Sequence, residues 1–449
     1  MSSTDSQVII IGAGVSGLAA ALELGRAGFE VTVLEARDRV GGRIFTAQDD
    51  VVVPVEYGAE FIHGKPPETL KIIDDAHLTL SEVPQRHWRS HHGKLSSTPA
   101  FWPDLEAIMI GMKRVTGPDI SFKEYLERYR RDDSDDAKSV ANTFVEGYNA
   151  ARSELISVQS LIMEEAAADA IDDNKQFRVL GGYRSVPEWL LAQSRLLRVS
   201  VSLNSVVEQI QWSKHRVEVT AQTPLSTQRF VASRVLITLP LGVLQAPSAV
   251  GGVRYEPVVA EKLDAANRLI MGNVVKVVLR FREPFWEDLA IDAGGDRQKL
   301  DELSFIHAPG EEFPTWWTQL PVRSPLLVGW TAGTTAERLH GQSQAAIIEA
   351  ALKSLCKVVH ITEKLATDHL ESIYLHDWTA DPFTRGAYSY VPVGNLVAQS
   401  ELGKPVEDTL FFAGEATNTQ GHYGTVHGAI QTGLRSAHEI ASSFSKKII

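Results

Sequence analysis

The chain is short of sulfur, with one cysteine and five methionines in 449 residues. A lone thiol cannot close an internal disulfide, and Cys356 in KSLCKVV stands beside an aliphatic run, the setting of a core residue rather than a nucleophile. A reducing compartment is compatible with it. Positive charge is not in excess: the formal net charge is -12, which argues against nucleic acid, whose binding rests on Lys and Arg neutralising phosphates. Such a balance serves solubility and also suits cationic small molecules. No apolar run is long enough to span a membrane, and the polar opening MSSTDSQ lacks the charged and apolar regions of a secretory signal. A cytoplasmic location with no membrane partner is the expectation. There is no 20 to 50 residue repeat and no low-complexity tract, and no metal-ligating set is assigned. What the chain does have is apolar residues, 44% of the total, enough for a sizeable core in each of two or three domains.

The first thirty residues alternate and then change period. QVIIIGAGVSGLAAALELGRAGFEVTVLEA reads as strand, tight turn, helix and second strand, a βαβ unit. Gly12, Gly14 and Gly17 form GxGxxG at the turn: the first permits the tight bend, the second lets backbone approach a pyrophosphate, and the third lets helix pack on strand. Glu35 closes the second strand, where a carboxylate can accept both hydroxyls of a ribose. Near the other end, LFFAGEATNTQGHYGTVHGAIQTGL (410–434) repeats the strand, glycine-rich turn and helix. From about 66 to 200 the pattern is mainly helical, with RRDDSDDAK as a solvated connector. Strand patterns return in VSLNSVVEQIQWSKHRVEVTAQ, RFVASRVLITLP, GNVVKVVLRFREPFW, LLVGWTAG and HLESIYLHDW, with a helix near 343 to 358. Two sheets are implied.

After Glu35 comes EARDRVGGRIFT, in which Gly41 and Gly42 clear side chains from the site and Arg43 offers a fork for phosphate. A nicotinamide enzyme has no need of this element. It resembles the ARxRxGGR signature of the flavin-containing amine oxidases, and the resemblance extends through VPVEYGAEFIHG, GNVVKVVLRF, WTADPFTRGAYSYVPVG and the C-terminal stretch. It implies an FAD cofactor long enough to need both glycine-rich sites. By the same resemblance Arg37 belongs to the FAD signature, Glu415 faces the pyrophosphate and ribityl region, Thr425 and Val426 lie beside the flavin ring, and the backbone of Val207 holds the adenine. A helix starting near Val426 would aim free N–H groups at the flavin pyrimidine, where reduction places negative charge. The expected fold class is α/β: a discontinuous Rossmann-like FAD-binding domain (1–84, 195–245, 395–449) and an α+β substrate domain of mixed sheet and helices (85–194, 246–394).

Flavin supplies the difficult step, so the protein mainly orients a C–H bond and sets protonation. Lys276 in NVVKVVLRF shares a strand face with Val274 and Val278, an odd place for an ammonium unless it guards an edge strand. In the resembled family this lysine binds a water near flavin N5. Tyr388 matches one wall of an aromatic cage around the amine, and Trp378 matches a tryptophan of the same pocket, although buried structural aromatics would read alike. Monoamine oxidases carry a second cage tyrosine where this chain has Thr425 and a flavin-tethering cysteine where it has Ala387, so the FAD is expected to be non-covalent. GTVHGA instead resembles polyamine oxidases and lysine-specific histone demethylases, and His63 in EFIHG resembles a histidine that animal and yeast polyamine oxidases place near the substrate amine. Glu164, Glu165, Asp169, Asp172 and Asp173 are candidates for a polycation entry, or plain surface. The expected activity is oxidation of a polyamine or related secondary amine to an imine, with dioxygen reduced to hydrogen peroxide. Two alternatives stand beside it: a primary-amine or L-amino-acid oxidase, whose substrate carboxylate Arg86 or Arg89 would bind, and a redox-silent FAD-binding interaction protein. Histone demethylation is the less expected, since the chain shows neither the N-terminal chromatin module nor the long helical insertion of those enzymes.

Overall fold

A strand with no polar face must be covered on both sides, and Gln7–Ile11 is such a strand: Val8, Ile9, Ile10 and Ile11 are all buried. In the computed structural model, which describes residues 7–47, 53–91, 94–96, 101–293 and 296–445, it is the centre of a five-stranded parallel sheet. The order is Leu410–Phe412, Arg234–Ile237, Gln7–Ile11, Glu30–Leu34, Val199–Ser202, so the two glycine-rich ends of the chain meet in one sheet. Alternate residues divide its faces. Val8 and Ile10 pack under the helices Val15–Arg26, Ser185–Arg195 and Val426–Ser445. Ile9 and Ile11 pack toward a four-stranded sheet of Thr227–Ala232, Arg216–Gln222, Val206–Ser213 and Arg254–Glu256.

The second unit is a seven-stranded sheet in the order Leu370–Leu375, Val274–Phe281, Leu326–Ala332, Thr315–Trp317, Phe305–His307, His87–His91, Lys94–Ser96. All of its pairings are antiparallel except that of Phe305–His307 with His87–His91. The helix Gln344–Val359 covers one face through Ile347, Leu355 and Val358. Four helices, Phe101–Gly111, Phe122–Tyr129, Asp135–Asn149 and Val158–Ala170, bury a core of their own around Phe122, Tyr125 and Val145. A three-stranded sheet of Ile62–His63, Gln176–Val179 and Leu80–Glu82 lies at the junction.

Two expected boundaries move. Ser185–Arg195, read from sequence as part of the substrate domain 85–194, buries Val186 and Leu190 against the first helix of the nucleotide unit. Arg254–Glu256 and Ala260–Asn267, read within 246–394, likewise put Tyr255, Ala265 and Ala266 into the core of the five-stranded unit. Packing of an apolar face decides membership, and that face does not announce its partner in the sequence. RRDDSDDAK is also only half a connector. Ser134 accepts a bond from the Ala137 N–H, and Asp135 and Asp136 form the acidic first turn of the next helix, where negative charge is favoured.

The last helix crosses the first at very short range. A Cβ on Gly433 would stand 2.2 Å from the Ser16 backbone oxygen, so no side chain fits there without the helices parting. Alanine is a better helix former than glycine by about 1 kcal/mol, whereas forced overpacking typically costs about 1–3 kcal/mol. Gly433→Ala is therefore expected to lower the melting temperature despite its helix propensity. A rise in Tm would show that the two helices are not held at this distance.

Candidate active site

A cavity of about 920 Å³ runs between the two units, from Glu35 and Val207 at one end to His63 and Glu164 at the other. The end nearest the N-terminus is built from backbone. Gly12 has φ +107° and turns the chain out of the first strand, and a Cβ on Gly17 would sit 2.0 Å from the Gly12 oxygen, so the helix closes directly on the turn. A Cβ on Gly14 would meet nothing within 4 Å, because Gly14 faces the cavity. Glu35 is buried and accepts from the Ala13 N–H at 2.7 Å and the Arg37 N–H at 2.9 Å, which clamps the glycine turn and leaves lone pairs on both oxygens. Arg37 lines the cavity and donates to Asp381 and Thr384, both at 2.7 Å. Val207 packs its side chain into the core while its strand end, with Ser205 and Val206, borders the cavity. A glycine cradle, a buried carboxylate and an open strand end in one cleft fit an adenosine diphosphate group.

In the middle of the cavity Glu415 gathers four donors. Its carboxylate, 3% exposed, accepts from Arg43 Nη1 at 2.8 Å, Ser389 Oγ at 2.6 Å, the Gly424 N–H at 2.9 Å and, more loosely, the Ser389 N–H. Arg43 also donates to the Ala387 carbonyl at 2.8 Å. This revises the expectation for Arg43: one nitrogen of its fork is committed within the protein, and a phosphate contact falls to its other N–H groups. Gly42 adjoins the same wall. Thr425, expected to open a cage wall, has a second role as the cap of the last helix. Its hydroxyl accepts from the Gly428 N–H at 3.0 Å and donates to the His422 carbonyl at 2.6 Å. The helix begins at Val426, in the cavity wall, and the first N–H groups of a helix have no intrahelical partner.

The far end holds the titratable groups. Lys276 is on Val274–Phe281, one residue before the stretch flanked by strands on both sides, and its side chain is 3% exposed and paired with an acid, so it is no solvent-facing edge-strand guard. Its ammonium donates to Glu60 Oε2 at 2.7 Å and the Gly58 carbonyl at 3.1 Å. Glu60 also accepts from Arg178 Nε at 2.8 Å, Trp317 Nε1 at 3.1 Å and Gln319 Nε2 at 3.2 Å. Burial pushes Glu60 up, but the Lys276 and Arg178 charges outweigh it and hold the carboxyl at about 2. Sequence reading missed Glu60 and Arg178; the available signal was a pair of acids, Glu56 and Glu60, inside the otherwise apolar and glycine-containing VEYGAEFIHG.

Trp378 is buried in the cavity wall with its indole N–H on the Tyr57 carbonyl at 3.0 Å. Tyr388 is fixed by its hydroxyl on the Tyr148 carbonyl at 2.8 Å. His63 faces Asp173 at 3.5 Å and meets the Tyr148 ring edge-on at 5.6 Å. Glu164 accepts from Asn149 at 2.6 Å and Tyr423 at 3.2 Å; burial pushes it up to about 7, against those hydrogen bonds and with the Asp173 charge adding to the rise. Of the five acids, Glu164, Glu165 and Asp173 line the cavity. Asp169 does not, and Asp172 pairs with Lys65 at the surface. Arg86 pairs with Glu302 and Arg89 with Asp136, and neither reaches the cavity. Ala387 is buried in the wall, and Cys356 lies in the separate Gln344–Val359 helix.

The helix cap gives a direct test. Thr425→Val keeps the shape and removes the acceptor, and is expected to cost about 1 kcal/mol of stability, while Thr425→Ser restores most of it. Equal melting temperatures for wild type and Thr425→Val would leave the cap without a role.

A family profile described as flavin containing amine oxidoreductase matches residues 15–441. The chain is 29% identical to polyamine oxidase 2 of Arabidopsis thaliana over 98% of its own length and 89% of the relative's. To lysine-specific histone demethylase 1 homolog 3 of the same plant it is 28% identical, over 97% of its own length but 30% of the relative's. It spans 58% of a second such homologue. Among solved structures, putrescine oxidase bound to putrescine matches with a TM-score of 0.80 at 22% identity, covering 97% of this chain and 99% of that one, which shows the same fold. The glycine-rich cradle at both chain ends and the match along nearly the whole length lead to one conclusion: the chain belongs to the flavin-containing amine oxidoreductases.

Proposed function

We propose that the protein is an FAD-dependent oxidase of polyamines or related secondary amines, with 920 Å³ of cavity shared between cofactor and substrate. The observation that carries the reading is the charge at the substrate end, where Glu164 and Asp173 line the same cavity as Lys276, Tyr388 and Trp378. Two carboxylates suit the distal ammonium groups of a polyamine. An amino-acid oxidase would need a cation for the substrate carboxylate, and the arginines of the cavity, Arg37 and Arg43, are paired with Asp381 and Glu415. The N-terminal and C-terminal segments form the FAD unit in this reading, and the seven-stranded sheet with the four helices forms the substrate unit.

FAD, when bound, supplies acceptance of a hydride from the carbon beside the amine nitrogen and passes both electrons to dioxygen, giving hydrogen peroxide. The residues of the chain do the rest. Gly12, Gly14, Glu35, Arg37, Gly42, Arg43, Val207, Glu415 and the helix start at Val426 hold the cofactor, with Gly17 closing the turn. Tyr388 and Trp378, both tied to backbone carbonyls, wall the reacting amine. Thr425 leaves that wall open on one side and His63 stands near the amine. The reacting nitrogen must be neutral for the carbon beside it to lose hydride, yet a free alkylammonium resembles lysine, near 10.4. Lys276 in the same cavity disfavours a second cation, while Glu164 and Asp173 favour one at the distal nitrogen. The imine product takes up water to give an aldehyde and an amine.

Three outcomes are expected. Acid precipitation releases yellow FAD into the supernatant, because Ala387 offers no tether; a yellow pellet contradicts this. In peroxide assays, spermine, spermidine or an N-acetylated form is at least about tenfold more efficient than benzylamine or any L-amino acid, about 1.4 kcal/mol in transition-state binding. A monoamine or amino acid at the top of the panel overturns the substrate class. Below about 7 Glu164 takes up its proton and ceases to attract a cation. KM for a polyamine therefore rises as pH falls through that value, and Glu164→Gln removes this limb. An unchanged limb in Glu164→Gln assigns it elsewhere.

A further inference from the structure

The cluster around Glu60 does more than fill the core. Every partner of this carboxylate is a donor: Lys276, Arg178, Trp317 and Gln319. An acceptor-only group is required, and an amide would turn N–H groups toward N–H groups. The charges add up to one net positive, from two cations and one anion, with the side chains of Lys276 and Glu60 each 3% exposed and that of Arg178 10%. Arg178 is itself locked, with its other nitrogens on the Leu320 and Thr318 carbonyls at 2.9 Å. Gly58, the second acceptor for Lys276, is tied to the flavin-signature segment. Ala59 donates to the Arg43 carbonyl, and a Cβ on Gly58 would stand 1.9 Å from that same oxygen. Lys276 is thereby held at fixed range from the Arg43–Glu415 pair, in the wall assigned to the isoalloxazine end of the cofactor.

We propose that Glu60 is a positioning residue of the redox site: it keeps Lys276 charged and fixed toward the cavity, so that a buried cation stands in the wall beside the flavin. This rests on the oxidase reading above. Two buried cations repel each other, and the carboxylate of Glu60, bonded to both, offsets that repulsion and fixes the Lys276 ammonium in place. The other charged group facing this pair is Glu56, bonded to Thr46 at 2.7 Å and to the Tyr183 N–H at 2.8 Å. Burial pushes Glu56 up to about 7, with Lys276 lowering and Glu60 raising it, so the proteins compared below all carry Glu56→Gln as a common background that removes its titration. The Trp317 ring lies 5.7 Å from the ammonium and adds an attraction of the same sign as Glu60.

The test compares, in that Glu56→Gln background, holoenzymes of otherwise wild type, Glu60→Gln, and Glu60→Gln with Lys276→Met, reading the reduction potential of the bound FAD between pH 6 and pH 9 by chemical reduction, without amine. Glu60→Gln leaves two unpaired cations and gives Lys276 reason to shed its proton. Its potential should fall with rising pH more steeply than the wild type's, because a cation that favours the electron-rich reduced flavin is lost. The double variant, again with one net positive charge, should lose that extra slope. In turnover, kcat of Glu60→Gln should drop at least about tenfold at the alkaline end and recover toward the acid end, with KM changing less than about threefold. Superimposable potentials for Glu60→Gln and wild type overturn the proposal, as does an extra slope that survives in the double variant. If Glu60→Gln does not fold, the charge-conserving Glu60→Gln with Arg178→Gln replaces it. That variant should bind FAD with kcat reduced, and its failure to fold or its full activity would make Glu60 structural only. The potentials need no substrate, so an error in substrate class leaves them informative, whereas a wild type that binds no FAD defeats the oxidase reading itself.

Discussion

The buried carboxylate of Glu415 is the point through which the distant parts of the chain are joined. It bonds Arg43 from the N-terminal signature, Ser389 from the segment carrying Tyr388, and the Gly424 N–H one residue before the helix cap. A dinucleotide as long as FAD has to be held along its length by segments that a single βαβ unit cannot supply. The chain therefore brings its last strand beside the Arg234–Ile237 strand, one place from its first, and runs its last helix against its first. A buried acid is costly unless its acceptors are filled, and Glu415 has filled them with donors from both sides of the cavity. Removing it would leave Arg43 unpaired in the cavity wall and free the loop before Val426.

The second buried acid, Glu60, does the corresponding work at the chemical end. It sits where the three-stranded junction, the seven-stranded sheet and the Gly58 turn meet, and its four donors come from three segments of the chain. Two acids thus fix the two ends of one wall, while Glu164 and Asp173 stay nearer the substrate region. The division follows from environment. Glu60 is held down by two cations, whereas Glu164 has neutral donors and a neighbouring acid, and burial lifts it.

Much of this was legible in the sequence because it rests on local rules. GxGxxG after an aliphatic run, a carboxylate at the end of the second strand and a second glycine-rich turn near the C-terminus are backbone requirements, and backbone requirements leave a residue signature. The family resemblance then carried Lys276, Tyr388, Trp378 and His63 to the cavity in which they are found. What was not legible depends on long-range packing. The Ser185–Arg195 helix carries an apolar face that fits either unit, and the sequence does not say which sheet it covers. Glu60 and Arg178 are 118 positions apart, and neither lies in a pattern that names the other. Thr425 was read for what it lacks, an aromatic ring, while its hydroxyl serves the helix behind it. The pairing of Arg86 and Arg89 with Glu302 and Asp136, away from the cavity lining, was equally hidden.

The central claim is that a polyamine delivers electrons to a flavin held in this cavity. Anaerobic mixing of the holoenzyme with spermidine, followed by the visible absorbance of bound FAD, tests it without dependence on oxygen or on product identity. The account predicts full loss of the oxidised-flavin absorbance with spermidine and its return when dioxygen is admitted. FAD that is bound and reducible by dithionite, yet keeps its absorbance with every amine supplied, would contradict it.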